Sequence, residues 1–461
     1  MRITAAFVLA CSLACAKGAQ SPLAAELVYT ALDASLPRLY VVGEAAGASS
    51  LALSPAGQRA AFVGALGTTA KDATPPATRS LQVVYGLVAD DASLLSLRKV
   101  NADGAADVLL ATLPAGVWTS PSGAWQTADG TILVQLSRQD GSGPALLAIR
   151  DNTAKVLAAG RFVALAGNRL AYLANSTSGV ADVGDLRSVA ADGSANLALG
   201  GGDADDEFHG VAEGKLLFTA HHSGSAPELR IAGVDGVNAL SRPGSKGLLL
   251  SGSTVVAARS GAFEKVGLDL HVAKVSLLSG AQVLALLGDG RVAAFVKGAG
   301  VMADGQVLDS WSADSVAGAH LFGDRLVYTM NSAAGSYLRS AKLDGSGATG
   351  LSEGHGQQLL FEAELPGSRV LFYRTKATEP GGWLSTVAVA GGAESLVGDD
   401  YTGTRRAADQ DFGGLTRAGR LVFEAELHEG SGPSLFVVEP GGGVRALTPA
   451  GTRATLAAVL E

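Results

Sequence analysis

The sequence predicts an all-β fold assembled from small, repeated antiparallel sheets. Three observations predict it: a glycine-rich, charge-poor composition, a recurrent Gly-turn strand motif, and a regular spacing of that motif. Of 461 residues, 61 are Gly, 47% are apolar and only 17% are charged. The small charged fraction and large apolar fraction argue against disorder. Glycine in this abundance, with Val, Leu and Ala, fits many short strands joined by tight turns. The high alanine content alone favours helix.

The motif is a Gly-containing turn, often with Arg after it, followed by apolar residues that end near an aromatic. Clear copies are Gly57-Gln58-Arg59-Ala60-Ala61-Phe62, Gly167-Asn168-Arg169-Leu170-Ala171-Tyr172, Gly214-Lys215-Leu216-Leu217-Phe218 and Gly290-Arg291-Val292-Ala293-Ala294-Phe295. Gly323 to Tyr328, Gly367 to Phe372 and Gly419 to Phe423 repeat it, with weaker copies at Gly130 to Val134 and Gly252 to Val256. A second strand tends to follow, as in Glu228 to Ala232 or Tyr337 to Ala341. A turn and a short third strand come next, as in Val234-Asp235-Gly236 or Leu343-Asp344-Gly345. Asp-Gly between apolar runs is a hairpin signal.

Most successive aromatic anchors lie between 33 residues (Phe295 to Tyr328) and 51 residues (Phe372 to Phe423) apart. A period near 40 to 50 with three or four strands per unit describes a propeller blade. One small sheet leaves both faces unburied, and packing blade on blade supplies the missing burial. The expected fold is therefore a β-propeller of three- to four-stranded antiparallel sheets, with eight blades favoured and seven next. Two smaller β-domains are the alternative. Val28-Tyr29 and Leu39 to Val42 read as an incomplete first blade, which the apolar run Leu456 to Leu460 can complete. Joining the termini in one sheet removes open edges.

Leu53-Ser54-Pro55-Ala56-Gly57-Gln58-Arg59-Ala60-Ala61-Phe62 resembles the Ser-Pro-Asp-Gly blade motif of TolB-like (WD40-like) propellers, with Ala56 in place of the Asp. Leu343-Asp344-Gly345-Ser346-Gly347 and Leu447-Thr448 are similar to that family's Asp-Gly-Ser/Thr turn and Leu-Thr ending. The other repeats lack Ser-Pro. The resemblance spans roughly residues 25 to 450, and it implies a role in binding protein partners of a bacterial cell envelope.

The N-terminus reads as an export signal. Met1-Arg2 is a minimal basic region, and Ile3 to Ala14 is a small and apolar stretch too short to span a membrane as a helix. It ends in Ser12-Leu13-Ala14-Cys15, which resembles a bacterial lipobox, so Cys15 is the expected site of lipidation. Cys11 is the weaker alternative, and Ala14-Cys15-Ala16 also reads as a site for ordinary secretion. The expected organisation is a lipoprotein signal peptide over 1–15, a tether over 16–24 and the propeller over 25–461. The expected location is the outer membrane or periplasm, with secretion as the alternative.

Cys11 and Cys15 are the only cysteines, so no disulfide staples the body of the chain. The net charge is −8 and basic residues form no run, which excludes a nucleic-acid footprint. No Gly-x-Ser-x-Gly elbow, phosphate loop or His-Glu-x-x-His helix occurs. The absent elbow bears on the prolyl oligopeptidase family, a relative that pairs such a propeller with a hydrolase domain; no such half is visible here. Gly345-Ser346-Gly347-Ala348-Thr349-Gly350 matches a dinucleotide pattern, but no helix start follows, so it reads as a blade turn.

The richest polar feature is Asp203-Ala204-Asp205-Asp206-Glu207 with His209, followed by His221-His222. Carboxylates with imidazoles suit a cation, yet polar loops ordinarily carry solvated charge. His271, His320, His355 and His428 sit singly, and Trp118, Trp125, Trp311 and Trp383 are assigned to packing rather than to a ligand-binding mouth. No catalytic, cofactor or metal residue is assigned. The expected function is a non-enzymatic scaffold that binds a protein or ligand in the envelope and touches the membrane only through a lipid anchor. The alternative is an enzyme or metal site built from loops at a channel mouth.

Overall fold

A computed structural model describes residues 27–33, 36–43, 48–66, 81–175, 182–200, 205–222, 224–237, 239–260, 262–275, 280–311, 313–375, 382–397, 410–416, 419–425, 433–439, 443–449 and 452–459. Cys11, Cys15, Asp203 and His428 lie outside these residues. The described residues form 40 strands and no helix. Eight sheets have four strands each, and one eight-stranded sheet is two four-strand sets in succession. The fold is thus all-β and of the β-propeller class. The ten sets among the described residues exceed the eight blades expected.

Two compact units divide the chain. The first holds Met1–Ala159, Gly381–Trp383 and Val397–Glu461. Its sets run over 59–112, 118–159 and 410–446, and a fourth joins residues 27–52 to the C-terminal strand Ala454–Val459. Tyr29 pairs with Leu456 and Val28 with Ala458, so the two terminal segments share one antiparallel sheet, as the apolar run near residue 456 suggests. The second unit holds Gly160–Pro380 and Leu384–Leu396. Its sets run over 161–198, 206–243, 245–275, 282–309, 315–353 and 359–396.

One irregularity repeats through both units. The first strand of eight sets skips one residue against the second strand. The extra residues are Val63, Val163, His209, Leu248, Leu284, Ala317, Glu362 and Gly413. A β-bulge at this point bends the strand and raises its twist. Glycine follows the bulge where the backbone demands it: Gly210 has φ +145°, which a side chain adopts only with strain.

Two side-chain devices explain the recurrent sequence motif. The Arg of the Gly-x-Arg turn starts the second strand and ties it to its neighbours. Arg325 donates to Ser340 Oγ (2.6 Å) on the third strand and to the Gly347 carbonyl (3.0 Å) at the turn beyond. Arg169 does the same with Ser188 Oγ (2.9 Å) and the Ala195 carbonyl (2.8 Å), and Arg369 reaches Thr386 Oγ1 (2.5 Å). In the Asp-Gly turns the Asp carboxylate accepts the amide two residues on, at 2.9 Å for Asp103, 2.8 Å for Asp192 and 2.8 Å for Asp344. The following Gly carries positive φ, at +79°, +85° and +76°. The first two are three-residue hairpins and the third has a four-residue loop, Leu343 to Ser346, so none is a two-residue turn. Gly345 to Gly350 is such a turn, entering the strand Ala348–Glu353.

The aromatic that ends each copy is core. Tyr172, Phe218, Tyr328, Phe372 and Phe423 are all buried, each on the second strand of its set. Phe62 is different: its strand, Arg59–Leu66, is the first of its set, and the equivalent of Tyr172 there is Tyr85. The copy at Gly57 is therefore out of phase with the others. Between neighbouring sets the packing is continuous, as where Val63, Val84 and Leu97 meet Trp118, Val134 and Leu147.

Candidate functional site

The bulges align a row of side chains. Two positions before the bulge, successive first strands of the second unit carry Arg161, Glu207, Lys246, Gln282 and Ser315. Charge alternates along the row's start, and each charge has a partner. Arg161 Nη2 bonds Asp182 Oδ1 at 2.6 Å, and Lys246 Nζ bonds Glu207 Oε2 at 2.9 Å. His221, just past the strand Lys215–Ala220, brings Nε2 to 3.7 Å from the same Glu207 oxygen. These three side chains remain open to solvent, at 32% for Glu207, 38% for His221 and 42% for Lys246. One carboxylate oxygen thus faces an ammonium and an imidazole at a surface a solute can reach.

His209 supports this group from behind. As the bulge residue it turns in against the next set. Its Nε2 lies 2.7 Å from Thr219 Oγ1, and Thr219 in turn accepts the Gly247 amide at 2.9 Å. A Cβ at Gly247 would fall 2.5 Å from the imidazole, so only glycine leaves room for the ring. Burial holds the His209 pKa below its ordinary value, with Lys246 and His221 acting in the same direction against the pull of Glu207. The ring is neutral at physiological pH, and Nε2 is free to accept the Thr219 hydroxyl proton.

The acidic run does not act as one cluster. Asp205 is exposed, whereas Asp206 is fully buried, its carboxylate accepting the Leu186 amide at 2.9 Å. His222 is drawn to Arg230 (3.3 Å), which also binds Glu228 (2.6 Å). Burial pushes the Glu228 carboxyl up, but hydrogen bonds from Arg230 and Ser241 outweigh it and leave it below the usual range. Among the described residues no three His, Cys, Asp or Glu side chains converge as a cation site.

The single histidines separate. His320 stacks on Phe361 with ring centroids 3.8 Å apart, and burial lowers its pKa. His355 is exposed beside Glu353, and the His271 amide closes the Asp269 turn. Trp118 is buried beneath Arg138, as packing predicts. Trp311 is instead 39% exposed, with the Arg339 guanidinium 4.2 Å from its ring. Lys246, Thr219 and Gly247 carry no motif, and only the shared position before the bulge relates Lys246 to Glu207.

No family model matches the chain, and no curated protein matches it. Solved structures do match. A structure of two prolyl endopeptidases aligns at 11% identity and a TM-score of 0.36, over 76% of this chain and 54% of that one. A puromycin-hydrolysing peptidase of Mycobacterium tuberculosis aligns at 12% and 0.33, over 87% and 58%. The dipeptidyl peptidase 4 of Porphyromonas gingivalis aligns at 12% and 0.39, over 74% and 62%. The chain therefore spans between 54% and 62% of the length of these three proteins.

These matches correct two expectations, that the chain is a non-enzymatic scaffold and that it is not an enzyme. The want of a familiar catalytic motif gives no ground for setting this chain outside the enzymes. The physical reason is that a propeller can build a site from several strands, which no contiguous motif reveals. At these identities and scores the matches carry no activity over to this chain.

Proposed function

We propose that the chain is an exported propeller of the bacterial cell envelope, anchored through Cys15, whose working site is the Glu207, His221 and Lys246 group. The site binds a polar ligand and has the means to move a proton on it. The observation that carries this reading is the approach of Lys246 Nζ (2.9 Å) and His221 Nε2 (3.7 Å) to one solvent-open oxygen of Glu207. A carboxylate beside an imidazole is a common means of proton transfer, and the ammonium is a ready contact for an anionic group. His209 and Gly247 hold the strand ends behind it.

The TolB-like repeat resemblance and the lipobox-like Ser12-Leu13-Ala14-Cys15 support the envelope location, where protein partners engage such propellers. Palmitate labelling of wild type against Cys15→Ala tests the anchor, and equal labelling would remove it. The site is tested with a broad set of fluorogenic acyl, peptidyl and glycosyl substrates. Activity that Glu207→Gln lowers at least about tenfold, with His221→Gln lowering it too, supports the reading. Activity that survives both variants places the working site elsewhere.

A further inference from the structure

We propose that the junction between the sets 161–198 and 206–243 is a proton-operated latch whose switching group is the Asp206 carboxyl. The two sets share few backbone bonds. Val183 pairs with Glu207 and Gly184 with Asp206, and the Phe208 amide bonds the Asp182 carbonyl at 2.7 Å. The Asp206 side chain extends this short ladder. Its Oδ2 accepts the Leu186 amide at 2.9 Å, just beyond the point where the Leu199 amide meets the Leu186 carbonyl. A carboxyl group thus stands where a further residue of the edge strand Leu197–Ala198 would continue the pairing.

The surroundings favour its neutral form. Asp206 is 0% exposed, and its Oδ1 has no hydrogen-bond partner among the described residues. The carboxyl lies on the Gly200 backbone so closely that a Cβ there would fall 1.9 Å from Oδ2. The charges around it do not neutralise the anion. Asp185, on the strand Val183–Ala190, and Asp205 oppose it. Arg187 is engaged with Asp185 at 2.8 Å. Arg230, on the strand Glu228–Gly233, is the one attractive charge, and it is divided between Glu228, His222 and the Leu199 carbonyl. Burial raises the Asp206 pKa to about 6, opposed by the Leu186 amide and assisted by Asp185.

The direction follows from linkage. A carboxyl whose folded pKa lies above its unfolded value stabilises the folded junction when protonated. That contribution is present below the unfolded value near 3.8 and is lost as pH rises through about 6. Raising pH from 5 to 8 therefore loosens the two-pair ladder, with opening at Leu186 favoured about tenfold.

Hydrogen exchange of peptides covering 183–187 and 206–209, corrected for intrinsic rate, tests this on the full chain at pH 5 and pH 8 with and without EDTA. Asp206→Asn keeps an oxygen for the Leu186 amide and mimics the protonated acid. The expected result is weaker protection at pH 8 in wild type, recovered in Asp206→Asn and indifferent to EDTA. His209→Gln, which removes the nearby imidazole, still shows the weaker protection at pH 8. A pH response that persists in Asp206→Asn, vanishes in His209→Gln or depends on EDTA overturns the latch. Should Asp206→Asn not fold, the Leu186 amide shift of wild type must still titrate near pH 6; a flat shift overturns it equally.

Discussion

Arg339 closes on Asp309 across two neighbouring sheets, with Nε 2.6 Å from Oδ2 and Nη2 3.3 Å from Oδ1. Tyr328 donates its hydroxyl to the same carboxylate, the Trp311 amide donates to Oδ1 at 3.0 Å, and the guanidinium lies against the Trp311 ring. Burial pushes the Asp309 carboxyl up, but hydrogen bonds from Arg339 and Tyr328 outweigh it and hold it below the usual range. The constellation recurs within a single set at Tyr85, Arg98 and Asp107, and at Tyr172, Arg187 and Asn196.

Asp309→Ala leaves Arg339 buried without its anion, so it is expected to cost about 3–5 kcal/mol by chemical unfolding. Arg339→Met with Asp309→Leu, which removes both charges, is expected to recover most of that loss. Because the folded Asp309 pKa is depressed, its contribution is present above the unfolded value near 3.8 and is lost as pH falls through the folded one. A single variant as stable as wild type at pH 7 would show that the pair does not tie the sheets.

His209 titrates with the opposite consequence from Asp206. Its folded pKa is depressed, so the unfolded chain binds the proton first as pH falls below about 6.5. Stability is therefore expected to decline from pH 7 towards pH 5 on this account, and His209→Gln to decline less. Melting curves of the two proteins at matched ionic strength decide it; parallel profiles contradict the burial of the ring.

Arg325 and Arg169 tie three strands from one turn. Replacing either with Met keeps most of the aliphatic stem and removes the bonds to Ser340 and Gly347, or to Ser188 and Ala195. The expected loss is about 1–2 kcal/mol for each, larger for the more buried Arg325. The Gly290-Arg291 copy departs from the rule, since Arg291 reaches across to the Leu343 carbonyl of the next set at 2.7 Å. Arg291→Met is thus expected to loosen contact between sets more than pairing within one, as read by local hydrogen exchange.

Gly247→Ala tests the support behind the site. The added methyl meets the His209 ring at 2.5 Å and displaces it. The expected result is a loss of about 1–3 kcal/mol, mostly recovered in Gly247→Ala with His209→Ala, where the ring is gone. Equal destabilisation with and without the ring would mean that the backbone, not His209, requires glycine there.

Composition and spacing made the class of fold legible, because a blade must repeat its turn glycines and buried aromatics. The terminal pairing was legible for the same reason: the apolar run near Leu456 had to find an edge. The phase of the Gly57 copy was not, since Gly-x-Arg followed by an aromatic reads alike on a first and on a second strand. The number of sets was obscured where the turn before Tyr85 lacks the motif. The acidic run and His221 lie in the neighbourhood of the proposed site, but sequence offered no reason to separate buried Asp206 from solvent-open Glu207. Lys246 was invisible because only the bulge, a backbone feature, sets it level with Glu207.

If Glu207, His221 and Lys246 form the working site, a ligand screen by thermal shift will find it. Small anions, amino acids, short peptides and sugars are measured against wild type and against Glu207→Gln with Lys246→Met. The prediction is a ligand that raises the wild-type midpoint and loses that effect in the double variant, while Arg325→Met, far along the chain from the site, keeps it. A ligand that stabilises wild type and the double variant alike would contradict the assignment.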